Sequence, residues 1–256
     1  MRKLELDSFA SDLVGTLPSG TAVDLISFVR GSGVGVIQDG YGNYFEGMTV
    51  YEDNEFFIHF NTDLGRVDSR RGRFTLAHEI GHLYIPEHNL LLQDQPHPSK
   101  YCLEEDKLIE LEANHFAGCL LMPQKKFKSA CYRKPMSVGL IGELAGLFET
   151  SLLATAIRFV EVGTYPALVT CFKDRRLSWF QRSSDFPYTG FSTRIAGPPP
   201  AGSALAESRR LGQNETTDIE EVDENTWFSV ERSDIRLCEQ CFGSSYGYEV
   251  SIVWVT

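Results

Sequence analysis

The segment His78-Glu79-Ile80-Gly81-His82 constrains this chain more than any other stretch of it. Its two histidines stand four residues apart, so a helix puts both imidazoles on one face, one turn apart. Phe74, Ala77, Gly81 and Ile85 fall near that face, and the spacing predicts a helix over residues 69–84. Pro86 stops it, because proline removes a helical donor and clashes with the preceding turn. Two neutral imidazoles so placed can bind one Zn2+ at about 2.0–2.1 Å. Zinc lowers the pKa of a water to about 7, and Glu79 is suited to take that proton and pass it to a leaving amine. The plainer reading is a pair of helix histidines making ordinary hydrogen bonds.

A catalytic zinc needs a third protein ligand and one open position. His88 has the ligand spacing of metzincins, but that pattern wants glycine where this chain has Ile85, and Pro86 interferes as well. Glu110 is the better choice. It lies on a second helix expected from Leu103 to Leu121, with Asn114 four residues on along the same face. That arrangement places a carboxylate on the metal and an amide behind a ligand histidine, orienting it. Glu112 points roughly the opposite way and is the weaker choice.

Around this pair of helices the pattern is mixed. Residues 5–16 and 21–30 read as short helices, and glycines punctuate strand-like runs from Val34 to Phe60. Phe56–Phe60 reads as a strand that could hold a peptide by taking it as an extra strand, or as a plain core strand. A polar loop is expected from Glu87 to Ser99. Residues 124–163 have a helix-turn-helix rhythm, broken at Glu149-Thr150-Ser151. Beside it Lys125, Lys126, Lys128, Arg133 and Lys134 make a basic run. A packing module with a solvated basic edge is the first reading there, and DNA binding the second. After Thr164 the chain is strand-rich, with a hairpin expected at Lys173-Asp174-Arg175-Arg176 and a closing strand at Tyr248–Val255. The fold class is α+β.

The net charge of −11 repels nucleic acid, so any such contact needs a local basic patch. No apolar run is long enough to span a membrane, and the N-terminus does not read as a signal peptide. The six cysteines are too irregular for a disulfide scaffold and fit a reducing cytoplasm.

Phe74-Thr75-Leu76-Ala77-His78-Glu79-Ile80-Gly81-His82, followed by the block from Glu110-Leu111-Glu112-Ala113-Asn114 to Leu121-Met122-Pro123, resembles the ImmA/IrrE family of zinc metallopeptidases. The resemblance implies a zincin-like metallopeptidase domain over 1–123, a helix-turn-helix-like module over 124–163 and a GAF-like α+β domain over 164–256. It implies His78, His82 and Glu110 as metal ligands, Glu79 as general base, and a helix-turn-helix repressor as the protein substrate. Members of the family switch on stress, mobile-element or anti-phage genes. The basic run allows single-stranded DNA as an activator, and the terminal domain allows a small ligand instead. Oligomeric state is open.

Other residues carry lesser expectations. Cys102, between the two helices, could reach the open metal position as a thiolate and silence the enzyme; the plain reading is a free thiol. His97, Tyr101 and His115 are oxyanion candidates that read first as loop or packing residues. Cys238 and Cys241 have CxxC spacing without a second pair and read as structural thiols. The competing functions are a DNA- or ligand-binding regulator with a structural metal site and a broad aminopeptidase or small-substrate hydrolase.

Overall fold

A computed structural model describes residues 2–15, 22–94, 104–188, 190, 196–212, 216–229, 235–243 and 247–256. The chain forms two compact units, Met1–Lys126 with Leu147–Ser151, and Phe127–Gly146 with Leu152–Thr256.

The first unit begins with α1 (Arg2–Gly15) and α2 (Leu25–Gly31), the latter capped by Asp24. A three-stranded sheet follows: β1 (Gly35–Asp39), β2 (Gly47–Glu52) and β3 (Glu55–Asn61), in the order β1-β3-β2. Asp53 and Asn54 both have positive φ, 52° and 64°, the two-residue hairpin turn that matches strand twist and that Asp and Asn tolerate. Ile58 and Phe60 turn into the core. β3 is the middle strand, so both of its edges are already paired and it cannot accept a peptide. This corrects the expectation for Phe56–Phe60, because strand order depends on contacts far apart in sequence.

Helix α3 (Arg70–Tyr84) starts at Ser69, whose side chain accepts from the amide of Gly72. Its buried Leu76 and Ile80 each contribute about 1.5–3 kcal/mol by leaving water. Ile85 is extended, as a residue before proline must be, and ends the helix. The polar loop expected from Glu87 is instead α4 (Pro86–Asp94) for most of its length. Pro86 loses nothing in the first turn of a new helix, where its missing N–H would have no partner. Asn89 donates to the carbonyl of Leu83 at 2.7 Å and seals the junction. Helix α5 (Glu104–Leu121) packs across α3. A Cβ on Gly81 would stand 3.2 Å from Phe116 and 3.3 Å from Ala113, so small residues bring the two helices close.

The second unit holds most of α6 (Gln124–Cys131), α7 (Val138–Phe148) and α8 (Leu152–Val162). α7 and α8 bend by 104° at their break, within the range of helix-turn-helix pairs. Thr155, Ala156, Arg158, Phe159, Val160 and Val162 of α8 are buried. The sheet runs β5-β4-β8-β7-β6 and is antiparallel throughout, from β4 (Ala167–Lys173), β5 (Arg176–Arg182), β6 (Glu220–Val222), β7 (Leu237–Gly243) and β8 (Tyr248–Val255). Asp174 and Arg175, both at positive φ, make the hairpin expected there. α9 (Ala204–Leu211) and α10 (Glu224–Trp227) complete the unit, with Trp227, Leu205, Phe172 and Val253 in its core. Among the described residues no single helix is long and apolar enough to cross a membrane.

Candidate metal centre

α3 and α5 together build the site. His78 and His82 project from one face of α3, with Nε2 atoms 3.0 Å apart. Glu110 of α5 meets both, Oε2 at 3.1 Å from His78 and Oε1 at 3.4 Å from His82. Their ligand atoms all lie within 4.8 Å of one another, and this group could hold a metal ion. A tetrahedral zinc with bonds of about 2.0–2.1 Å needs its ligands roughly 3.3 Å apart. The two imidazole nitrogens stand at about that spacing, and each meets a different oxygen of the Glu110 carboxylate at a similar distance. Two imidazole nitrogens and a carboxylate oxygen also suit zinc as donors.

The electrostatics agree. Burial opposes charge on Glu110, but hydrogen bonds from His78 and His82 outweigh it and hold the carboxyl well below its usual range. Burial likewise works against a charged His78, yet Glu110 and Glu79 outweigh it and raise its pKa. The carboxylate thus draws positive charge onto the imidazole beside it, a charge that a bound metal ion would replace with release of the proton. Asn114 Oδ1 lies 3.1 Å from His78 Nδ1; a neutral His78 that donates its Nδ1–H there would turn its Nε2 lone pair toward a metal.

Glu79 is 2% exposed, and the Thr49 hydroxyl donates to its Oε2 at 2.8 Å. Thr49 comes from β2, the edge strand beside α3. At the start of that strand a Cβ on Gly47 would stand 2.8 Å from both Glu79 Cγ and Thr75 Cγ2. The sequence reading missed Gly47 and Thr49. A glycine opening a strand signals close backbone approach; Thr49 carries no signal of its own. Just before the strand, Glu46 pairs with Arg71 and accepts from Thr75 at 3.3 Å, and hydrogen bonding to Arg71 holds its carboxyl below the usual range.

The remaining candidates fall elsewhere. His88 stands outside the metal group: its Nε2 lies 3.1 Å from Glu112 Oε2, and burial with the charge of His82 pushes its pKa down to about 4. Glu112 likewise turns away, toward Arg2 and His88. His115 Nε2 faces the carbonyl of Lys3 at 3.2 Å. His97, Tyr101 and Cys102 lie outside the described residues. Cys238 and Cys241 flank Glu239, which is buried among hydrogen bonds from Trp227, Ser251 and the amides of Ala204 and Leu205.

Residues 57–160 match a peptidase family described as the IrrE N-terminal-like domain. A Mycobacterium tuberculosis transcriptional regulator of known structure superposes with a TM-score of 0.66 at 13% identity, covering 98% of this chain and 76% of that one. At that identity the likeness is one of fold. No curated protein matches the chain.

Proposed function

We propose that this chain, an ImmA/IrrE-family protein carrying an IrrE N-terminal-like peptidase domain, is a zinc-dependent endopeptidase that cleaves a specific helix-turn-helix repressor. The observation that carries the chemistry is the grouping of His78, His82 and Glu110, which could hold a metal ion and is backed by Asn114. Zinc bound there supplies Lewis acidity to a water and to a carbonyl oxygen. Glu79 accepts the water's proton and delivers it to the leaving amine, as general base and then general acid. Thr49 holds the Glu79 carboxylate in place. The β2 edge, with Gly47 beside Glu79, is the place to lay an extended substrate along backbone hydrogen bonds.

The family likeness supports the repressor as substrate and a role in stress or anti-phage gene control in the cytoplasm. A signal releases the activity. Single-stranded DNA on the basic run, a ligand of the strand-rich unit, or displacement of Cys102 from the metal are the three routes the chain offers. The test compares zinc content and cleavage of a repressor encoded beside this chain's gene for wild type, Glu79→Gln and Glu110→Ala. Glu79→Gln should keep zinc and lose cleavage by at least about a hundredfold, and Glu110→Ala should lose zinc. Cleavage that survives Glu79→Gln would sink the mechanism, and a wild-type chain that holds zinc but cuts no repressor would favour a regulator with a structural metal.

A further inference from the structure

Two residues set aside as metal ligands stand directly behind the metal group. His88 is 2% exposed, and its ring lies against that of His82, centroids 5.2 Å apart and planes inclined by 40°. Glu112 Oε2 is 3.1 Å from His88 Nε2. Glu112 is itself clamped by Arg2, whose Nε and Nη2 donate to it at 3.0 and 3.3 Å. Arg2 is steadied in turn by Glu87, at 3.2 and 2.7 Å. An ionised carboxylate only accepts, so the Glu112 contact fixes the proton of His88 on Nε2 and leaves Nδ1 bare. Nδ1 is buried without a partner among the described residues. Leaving a polar atom in that condition costs stability, and an aliphatic side chain would fill the space without the cost. The ring is therefore poor as mere filler and suited to holding a neighbour at a fixed angle.

We infer that Glu112 and His88 are positioning residues for His82: Glu112, oriented by Arg2, locks the His88 ring, and that ring limits the swing of His82. The inference rests on the reading of His78, His82 and Glu110 as zinc ligands. It assigns a use to a histidine whose spacing imitates a ligand and to the second carboxylate of the Glu110-Leu111-Glu112 run.

The test is zinc affinity of the full chain, measured by competition with a chromogenic chelator, beside the thermal melt of each metal-free protein. Glu112→Leu and His88→Leu should weaken zinc binding by roughly 10- to 100-fold. Glu112→Gln keeps an acceptor for His88, and Val29→Ala opens a cavity under α2, an element that carries none of Arg2, Glu87, His88 or Glu112, so both should bind zinc within about threefold of wild type. If Glu112→Leu and His88→Leu bind zinc like wild type, the positioning role is overturned. It is equally overturned if Val29→Ala loses as much affinity as they do, since general loosening would then explain the loss. Should His88→Leu fail to fold, Glu112→Leu carries the same comparison. A wild-type chain that takes up no zinc overturns the metal assignment itself, a result distinct from either of these.

Discussion

At Glu79 the chemistry depends on how closely a strand can approach a helix. Gly47 has no side chain because one would collide with Glu79 and Thr75. Gly47→Ala should therefore displace the Glu79 carboxylate and lower kcat by about 10- to 100-fold, the usual effect of a displacement near 1 Å at a reacting group. Zinc affinity should hold, since His78, His82 and Glu110 lie on α3 and α5; equal loss of zinc and turnover would refute this. His88 makes a second prediction. It stays neutral in the folded chain down to about pH 4, whereas in the unfolded chain it gains a proton near 6.5. Between those values the unfolded state holds the extra proton, so stability falls as pH drops, by about 1.4 kcal/mol per unit. Urea titrations of the metal-free protein from pH 7 to 4 should show this loss, and His88→Gln should flatten it. The sequence made the histidines, Glu79, Glu110 and Asn114 legible because helical periodicity is local. Gly47 and Thr49 were not, because their meaning depends on which strand lies beside α3.

At the scale of elements, helices were read well and their junctions less so. Pro86 was read as a stop, but a proline that ends one helix can open the next. Strand order was not legible: Phe56–Phe60 carries the strongest strand pattern because it is the middle strand, and that same placement removes its free edge. The Cys238-Glu239-Gln240-Cys241 run drew notice for its thiols, yet its polar pair does the structural work. Glu239 accepts from the amides of Ala204 and Leu205 at the start of α9, while Gln240 accepts at 2.7 Å from the amide of Val138 at the start of α7. Adjacent residues of a strand face opposite ways, so one dipeptide caps helices on both faces of the sheet. Glu239→Leu would strand buried donors from Trp227 and Ser251 as well, and should cost at least about 3 kcal/mol. Gln240→Leu, which orphans fewer groups, should cost less. Chemical denaturation followed by tryptophan fluorescence would rank the two, and equal costs would contradict the network.

For the whole molecule, a net charge of −11 sets up a field that repels nucleic acid. The exception is local. α6 and the turn after it expose Lys125, Lys126, Lys128 and Arg133, and Arg133 sits over the ring of the exposed Tyr132 at 5.1 Å. Lys134 beside them is also exposed and pairs with Glu143 at 2.8 Å. Cations beside an aromatic face suit single-stranded DNA better than a duplex. If single-stranded DNA is the activator, about four phosphate contacts set the salt dependence. The slope of log affinity against log salt should then be near −3, at about 0.7 per contact. Each Lys→Gln change on α6 should make that slope shallower by about 0.7. Tyr132→Ala should weaken binding by about 1–3 kcal/mol while leaving the slope unchanged, because stacking releases no counterions. Binding that survives loss of Lys125, Lys126 and Lys128 together would exclude this face and move the search for the activating signal to the strand-rich unit.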